Sequence, residues 1–487
     1  MSRRPNILLF IMDGLQADAL QVGGPCITPT FDQFRAGALA FNRAHTTTPT
    51  CSPARAGLMT GLLPHNHGVL EVEHGRDADQ CVLRTEKPHW AQRLRTGGYR
   101  TAYLGKWHIE RTNDLGQFGW EIDEGKAADH HRFLGLGKDG GADLPLDPAF
   151  SRHVEGPDGY NRLLHYGVTD VPPSERYPAH TVNQAIDVLD EFTKSDAPWC
   201  LCASFSEPNE SLVVSRETFE KYSVATVPLP ANLNDDLSNR PNLYHRQRQI
   251  FDDVTDDQWR MARTCYFGRV TELDAEFARL MRHLESTGAL ADTIVIVTAD
   301  HGRYVGAHGW DAHNFGPFEE IYRVPLIASG PGIASGKETG ALVSLIDLCP
   351  TLLELSGCEP IDALDSKSLT ALLADPSQYE PVFNTHYGEY HGTRFSLTQR
   401  ILWEGDWKFV FNGFDFDELY NLTDDPHEMT NLIDQPEHAD RIRAMMTGVW
   451  RKVHETGDRA LEESHYYSMR MACVGPNAAE GESAKMQ

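Results

Sequence analysis

The chain has 487 residues, of which 40% are hydrophobic and 23% are charged, and its formal net charge is −26. This length exceeds one typical domain, so we expect a large domain followed by a smaller one. The strong negative charge argues against nucleic acid or an anionic membrane as partner, and any site for an anionic substrate must gather cations locally. Nine cysteines without the spacing of a disulfide framework indicate a reducing compartment.

The N-terminus lacks the features of a secretory signal. Arg3 and Arg4 precede an apolar run, but this run is short and ends in Asp13 without a small-residue cleavage site. No stretch of the sequence approaches the roughly 18 apolar residues of a membrane span. We therefore expect a cytoplasmic protein without a membrane partner, and the sequence leaves open whether it forms a homo-oligomer.

Apolar runs alternate with helical patterns along residues 1–375. The runs, which are typical of strands buried on both faces, are found at 6–12, 101–104, 199–205, 293–298 and 324–328. The helical patterns span 30–38, 54–60, 90–95, 181–194, 259–286 and 346–356. This alternation predicts an α/β domain with a sheet covered by helices.

Residues 376–487 are predicted to form a smaller α+β subdomain. After a connector at 375–381, three short strand patterns suggest an antiparallel sheet, and a helix follows at about 439–454. The tail after Val474 is small and polar, and we expect it to be disordered. In the larger domain, residues 109–180 are rich in Gly, Asp, His and Pro, which predicts a long excursion over the site.

Chemically capable side chains follow four of the predicted strands, at the point where each strand ends. They are Asp13, Lys106, His108, Glu207, Asn209, Asp300 and His301. In an open α/β sheet, ligands bind beyond the carboxyl ends of the strands, so we expect one site at one sheet edge. Carboxylate and imidazole are also groups that bind divalent cations.

Cys51 begins a helical pattern and is followed by Pro53 and Arg55. Pro53 suits the first turn of a helix, and the free backbone N–H groups at a helix N-terminus favour an oxyanion near residue 51. Arg55 lies one turn further on, where it can hold such a group. The alternative interpretation is an ordinary cysteine at the start of a helix.

Together these segments resemble the type I, formylglycine-dependent sulfatases of the alkaline-phosphatase superfamily, close to the branch shared with phosphonate monoester hydrolases. The matching segments are 5–13, 28–34, 50–61, 60–65, 105–108, 298–302, 323–326 and 418–422, together with Asp425, Pro426 and Glu428. The resemblance covers nearly the whole chain. It implies an alkaline-phosphatase-like sandwich, with a large, mixed and mostly parallel sheet and a small C-terminal antiparallel sheet.

The resemblance also implies a nucleophile and a metal. Cys51 is expected to be oxidised to formylglycine (3-oxoalanine) by a separate formylglycine-generating enzyme, and one oxygen of the hydrated aldehyde then attacks sulfur or phosphorus. One divalent metal is expected between Asp13, residue 51, Asp300 and His301. Gly14 stands where the family usually has a further ligand, which shifts the expectation from Ca²⁺ towards Mn²⁺, Mg²⁺ or Zn²⁺ and leaves the metal's identity open.

The cation shell matches the family only in part. Lys106 is implied to bind the formylglycine and a sulfate oxygen, and His108 to help expel the product. Asn209 stands where the family has a histidine, and His313 where it has a lysine. Because Asn209 cannot protonate a leaving oxygen, His313 is a candidate general acid; the alternative is that it only lines the pocket.

Other aromatic and imidazole side chains are weaker candidates. The three histidines after the nucleophile helix, His65, His67 and His74, are more typical of structural roles. Trp310 is a candidate for a substrate-binding wall. The segment 386–391 is rich in Tyr and His, and it could reach the site from the smaller subdomain.

The favoured function is hydrolysis of a small aryl or alkyl sulfate monoester. The closest alternative is hydrolysis of phosphonate monoesters or phosphodiesters with the same nucleophile. A third hypothesis is a binding protein on a degenerate sulfatase scaffold. Gly14 and Asn209 favour this last hypothesis, whereas the presence of Cys51, Lys106 and Asp300 opposes it.

Overall fold

The large sheet has the mixed order that the resemblance implies. The computed structural model describes residues 4–75, 77, 82–84, 88–112, 114–123, 144–156, 158–160, 162–209, 211–362, 365–393, 396–462, 470 and 472–479. Its strands are β1 Asn6–Asp13, β2 Leu39–His45, β3 Arg100–Gly105, β4 Ile122–Asp123, β5 Arg152–Val154, β6 Leu163–Thr169, β7 Trp199–Pro208, β8 Val213–Ser215, β9 Thr293–Ala299, β10 Leu326–Ser329, β11 Lys337–Ser344, β12 Thr385–Gly392, β13 Ser396–Glu404, β14 Trp407–Asn412 and β15 Glu418–Asn421.

Eight of these strands form one sheet in the order β11-β2-β10-β9-β1-β7-β3-β4. Strand β10 is antiparallel to both neighbours, and every other adjacent pair in this sheet is parallel. Strand β1 lies near the centre, and all eight of its residues are buried, as its continuous apolar run predicts. The predicted fold class is therefore confirmed.

Helices cover this sheet in two groups. One includes Tyr177–Phe192 and the long helix Asp256–Ser286, whose first turn is closed by a reciprocal capping box between Thr255 and Gln258. The other includes Cys51–Thr60, Trp90–Thr96 and Leu348–Ser356. The remaining α-helices of the described residues are Pro29–Gly37, Pro64–His67, Arg216–Phe219, Asn242–Arg248, Glu319–Tyr322, Thr370–Ala374, Pro376–Tyr379, Ala439–Thr456 and Arg459–Glu462. No helix in this part of the chain is long and apolar enough to cross a membrane.

The excursion at 109–180 contains regular structure. Strand β6 pairs with β5 in antiparallel fashion and with β8 in parallel, which forms a three-stranded sheet beside the long helix. The sequence missed β6 because Leu163–Thr169 mixes polar and apolar residues without strict alternation. Residues 124–143, which belong to the same predicted excursion, lie outside the described residues.

The C-terminal part of the chain forms a second sheet. Strands β12, β13, β14 and β15 are antiparallel to their neighbours, and the helix Ala439–Thr456 packs on β13 and β14. The core of this unit includes Phe409, Leu419, Met446 and Val449. The division of the chain at residue 375 remains a prediction.

Part of the tail that was expected to be disordered contacts this unit. The Trp450 indole donates a hydrogen bond to the Val474 carbonyl at 2.9 Å, and Val474 and Ala479 are both buried. These contacts hold residues 472–479 against the C-terminal helix. Residues 480–487 lie outside the described part of the chain.

A network of charged side chains connects the helix Pro64–His67 to the C-terminal sheet formed by β12, β13, β14 and β15. His65 Nδ1 lies 2.5 Å from Glu389 Oε1, and His65 Nε2 lies 3.1 Å from the Thr456 carbonyl at the end of the C-terminal helix. Both ring nitrogens therefore face acceptors, which favours the protonated ring. Burial lowers the pKa of His65, but Glu389 outweighs it and raises that pKa to about 9.

This network predicts a pH-dependent contribution to stability. The pKa of His65 is raised in the folded state, so its stabilising effect is complete below pH 6.5 and is lost as the pH rises towards about 9. The ceiling on that contribution is about 3 kcal/mol. Denaturant unfolding at pH 6 and pH 9 should show a large stability difference between wild type and His65→Gln only at pH 6. A difference that is equal at both pH values, or that also occurs for the exposed control His180→Gln, would contradict the assignment.

Candidate active site

Four strands deliver their terminal side chains to one edge of the large sheet. Asp13 ends β1, and its register partner in the parallel neighbour β7 is Pro208, which directly precedes Asn209. On the other side, Met12 pairs with Ala299, so Asp300 follows at the same level. Lys106 directly follows β3, whose neighbour is also β7. The predicted convergence of these residues is therefore present in the structure.

The local backbone at the end of β3 requires glycine. Gly105 has φ 91°, and a Cβ at this position would lie 1.9 Å from the Ser204 carbonyl oxygen. The Lys106 amide donates to that same carbonyl at 2.9 Å. The close approach of the two strands thus fixes where the Lys106 side chain begins.

Cys51 is the first residue of the helix Cys51–Thr60, whose residues are all buried. Thr50 before it is extended, so the chain turns sharply into the helix at the sheet edge. The first backbone N–H groups of this helix lack partners within the helix and lie beside residue 51, which is the arrangement that favours an anion.

Arg55 connects the two carboxylates of the site. Its Nε donates to Asp300 Oδ2 at 2.7 Å, and its Nη2 donates to Asp13 Oδ2 at 3.0 Å. The remaining N–H groups donate to the Lys106 carbonyl, Ser204 Oγ and the Phe205 carbonyl. These bonds involve all five guanidinium donors. Arg55 therefore orients the carboxylates, whereas the sequence suggested that it holds the nucleophile itself.

The side chains around residue 51 fit a divalent metal. One atom each of Asp13, Cys51, Asp300 and His301 lies within 4.8 Å of the other three, and all four residues are buried. His301 Nε2 is 3.8 Å from Asp13 Oδ1 and 3.7 Å from Asp300 Oδ1. These are spacings of ligands that share an ion at about 2.0–2.4 Å. Because both Oδ2 atoms face Arg55, both Oδ1 atoms face the centre of this cluster.

His301 is oriented to bind a metal. Its Nδ1 lies 2.8 Å from the Gly302 carbonyl, so Nδ1 carries a proton and Nε2 faces the cluster. Burial lowers the pKa of His301, but Asp300 and Cys51 outweigh it and raise that pKa to about 10. The negative field that favours a proton at Nε2 also favours a cation there.

Among the positive groups that act on Cys51, Lys106 lowers the pKa of its thiol most. Its Nζ donates to Asp13 Oδ2, which it shares with Arg55. Burial raises the pKa of the Cys51 thiol and Asp13 raises it further, yet the positive charges of Lys106 and His301 hold it well below its usual range. The site therefore stabilises negative charge at residue 51 despite its complete burial.

Gly14 and Asn209 occupy adjacent positions, so the two departures from the family pattern are one local change. Gly14 has φ 68°, and a Cβ at this residue would lie 3.1 Å from both Cβ and Cγ of Asn209. The Asn209 side chain thus fills the space where a side chain at position 14 would begin. The Asn209 Nδ2 donates a hydrogen bond to Asp13 Oδ1. An N–H group therefore lies where a further ligand at position 14 was expected.

Arg303 and Asp311, which the sequence did not single out, orient Asn209. Arg303 donates to both oxygens of Asp311, at 2.8 and 2.9 Å, and its Nη1 donates to Asn209 Oδ1 at 2.7 Å. All three side chains are buried. Since Oδ1 accepts from a guanidinium, the amide nitrogen must face Asp13.

His313 lies in the site, stacked on His301 with ring centroids 4.1 Å apart. Its Nε2 lies 3.2 Å from Asn209 Nδ2 and 3.3 Å from Asn314 Nδ2, both amide donors. Its Nδ1 lies 3.2 Å from the Pro49 carbonyl. The resting ring therefore accepts at Nε2 and carries its proton on Nδ1, so it must gain a proton at Nε2 before it can donate one there.

His108 lies beside Cys51 and has a second imidazole next to it. It adopts the left-handed backbone conformation with φ 54°, which non-glycine residues rarely do. Burial and then Lys106 lower its pKa, and its side chain hydrogen-bonds to Cys51. The His74 ring stacks on it with centroids 5.3 Å apart. The sequence assigned His74 a structural role and did not predict this contact.

Several weaker candidates lie elsewhere. Trp310 is only 1% exposed and packs against Tyr304 and Tyr244, so it belongs to the core instead of a wall open to substrate. His386 is buried against His45 and Trp403. From the same segment, Tyr390 does approach the site, since its hydroxyl donates to the Asn314 carbonyl next to His313.

The comparison with known families agrees with this geometry. A family model described as Sulfatase matches residues 5–358. A second model, described as the C-terminal part of N-sulphoglucosamine sulphohydrolase, matches residues 306–455. The chain therefore belongs to the sulfatase family of sulfuric ester hydrolases.

Individual relatives are distant but nearly full-length. The uncharacterized sulfatase YidJ of Escherichia coli (strain K12) is 28% identical over 459 residues, which cover 91% of this chain and 86% of that protein. The choline-sulfatase of Rhizobium meliloti (strain 1021) is 29% identical over 456 residues, which cover 89% and 83%. A phosphonate monoester hydrolase from Silicibacter pomeroyi superposes with a TM-score of 0.76 at 23% identity, covering 94% of this chain and 96% of that one. This last similarity concerns the fold.

Replacing Arg303 tests whether it positions Asn209. Arg303→Met should lower turnover, by up to about 100-fold if the amide loses its orientation. It should also destabilise the protein by about 3–5 kcal/mol, because Asp311 is left buried without its partner. Steady-state rates and denaturant unfolding measure the two effects.

A double variant separates these two effects. Arg303→Met with Asp311→Leu removes both buried charges, so stability should return towards that of wild type while turnover stays low. If turnover recovers together with stability, then Arg303 acts only through the fold.

Proposed function

We propose that this chain hydrolyses sulfate monoesters, with formylglycine made from Cys51 as nucleophile and one divalent metal held by Asp13, Asp300 and His301. The observation that carries the proposal is the convergence of these ligand groups and Lys106 on residue 51, with His301 Nε2 only 3.1 Å from Cys51 Sγ. Membership of the sulfatase family indicates the class of reaction, and the side chains around residue 51 are the groups that would carry it out.

Each group has a distinct task in this proposal. Formylglycine at residue 51 would supply, as its hydrate, the attacking oxygen. A metal held by Asp13, Asp300 and His301 would lower the pKa of that oxygen and neutralise charge on the transferring group. Lys106, buried beside Asp13, binds an ester oxygen as its charge develops. Arg55 holds both carboxylates in place. His108, beside residue 51, accepts the proton that is released when the product leaves.

Asn209 and His313 act on the side of the leaving group. Arg303 fixes Asn209, and one of its two amide hydrogens faces His313 Nε2 at rest. Once that nitrogen gains a proton, the amide hydrogen is released and can bond a leaving oxygen, which the amide itself cannot protonate. A His313 nitrogen lies within 4.8 Å of Cys51 Sγ. In this proposal His313 is the group near residue 51 that transfers a proton to the leaving oxygen.

The hydrolysis of phosphonate monoesters uses the same nucleophile and is the alternative to separate experimentally. Gly14 leaves the metal with fewer carboxylates than a site with an acidic residue at this position, and fewer hard oxygens disfavour calcium. This feature does not distinguish sulfate from phosphonate. The choice of sulfate rests on the family to which the chain belongs.

Steady-state rates on nitrophenyl sulfate and on a nitrophenyl phosphonate monoester test the proposal. We expect the larger kcat/KM on sulfate, and Cys51→Ala should lose at least about 10⁴-fold on both esters because it removes the nucleophile. Peptide mass spectrometry should first establish what share of Cys51 has exchanged its SH and one hydrogen for a carbonyl oxygen. A preference for the phosphonate would assign the alternative function, and unchanged turnover in Cys51→Ala would exclude formylglycine catalysis.

His313→Ala tests the proposed proton transfer. An alkyl sulfate needs its leaving oxygen protonated, so its rate should fall by about 10²-fold or more. A nitrophenyl sulfate leaves without that help, so its rate should fall much less. Equal losses on the two esters would assign His313 to binding or packing.

A further inference from the structure

A second cluster of metal-binding atoms is formed by His108 with Glu73 and His74. His74 Nδ1 is 3.2 Å from His108 Nε2, and Glu73 Oε1 is 3.8 Å from the first nitrogen and 3.7 Å from the second. The same three atoms take part in all three distances, so they form one triangle. From this geometry we infer that Glu73, His74 and His108 form a Zn²⁺ site, and that zinc bound there inhibits the enzyme.

The size of the triangle fits zinc. A point at its centre lies about 2.1 Å from each of the three atoms, which is the length of Zn–N and Zn–O bonds. No ligand atom has to move for an ion to reach all three. Two imidazoles and one carboxylate also form a known ligand set for zinc, with one position left for water or an anion. Mg²⁺ prefers an octahedral set of oxygens, which this cluster does not offer.

The surrounding contacts hold the carboxylate in this position. Arg111 Nε donates to Glu73 Oε2 at 2.9 Å, which turns Oε1 towards the histidines. The Glu73 amide donates to Ser52 Oγ at 3.1 Å, so the cluster is tied to the residue that follows Cys51. His74 is exposed and His108 is buried, so an ion can enter from solvent and bind next to the nucleophile.

The consequence concerns His108. A zinc ion bound at its Nε2 occupies the lone pair with which this nitrogen would accept a proton, and adds positive charge beside residue 51. The proton transfer assigned to His108 under the proposed function is then blocked. Zinc binding itself does not depend on that proposed function.

Calorimetric titration of Zn²⁺ into the purified, metal-loaded chain tests binding, and rates on nitrophenyl sulfate with added Zn²⁺ test inhibition. Wild type should bind one more zinc than His74→Ala, and zinc should inhibit it. Loss of one zinc ligand should raise the zinc concentration needed for half-maximal inhibition by more than about 10- to 100-fold. That range is the loss of metal affinity typical when a residue that only orients a ligand is removed. Each variant is compared with its own zinc-free rate, and His180→Ala, which removes an exposed histidine elsewhere, should behave as wild type.

Glu73→Gln provides a second variant in case His74→Ala does not fold, and it should also weaken zinc binding. Inhibition that is equal in wild type and in either variant would place the inhibitory zinc at the Asp13–Asp300 site and overturn the inference. Absence of the additional zinc in wild type would overturn it as well. If the chain is inactive on both esters, the proposed function fails, while the calorimetric comparison still decides the zinc site.

Discussion

Asp13 and Asp300 lie side by side without exposed surface, and two such carboxylates repel strongly in a low-dielectric interior unless a cation lies between them. Arg55 is that cation. Its rigid, planar guanidinium reaches one oxygen of each carboxylate and directs the other oxygen of each towards residue 51. Because Arg55 and Cys51 belong to the same helix, this contact also fixes Cys51 relative to the strand ends. A lysine could not replace it, since a single ammonium lacks the fixed fork of donors.

The departures from the family pattern form one connected arrangement. The positive φ and missing side chain of Gly14 leave room for Asn209, Arg303 fixes the Asn209 amide, and that amide donates to both Asp13 and His313. A change at any of these positions leaves a buried polar group without its partner, which costs more than the net worth of the hydrogen bond. Gly14, Asn209, Arg303 and His313 therefore depend on one another. Substitution of Gly14, Asn209 or His313 towards the family pattern should be tolerated only together with the other changes.

The central strands and most residues of the site could be predicted from the sequence, because each is marked by a pattern of neighbouring residues. Continuous apolar runs marked β1, β3, β7 and β9, and each was followed by a side chain with recognisable chemistry, so the sheet edge with Asp13, Lys106 and Asp300 could be inferred. Strands with mixed composition, such as β2 and β11, gave no such signal, since their burial is set by neighbours that are distant in the sequence. Arg303 and Asp311 were missed for the same reason: an ion pair and its amide partner, 94 residues apart in the chain, have no local pattern.

The charges of the site also explain how a chain with a net charge of −26 can bind an anion. Arg55 and Lys106 together balance the two carboxylates, so these four groups provide no excess positive charge. Arg303 is likewise matched by Asp311. A divalent cation would therefore supply the net attraction for an ester anion, and binding of metal and substrate should be coupled. For the same reason the position of added positive charge matters. Between the carboxylates it favours the anion, whereas at His108 it would occupy the nitrogen to which the proposed mechanism assigns a proton.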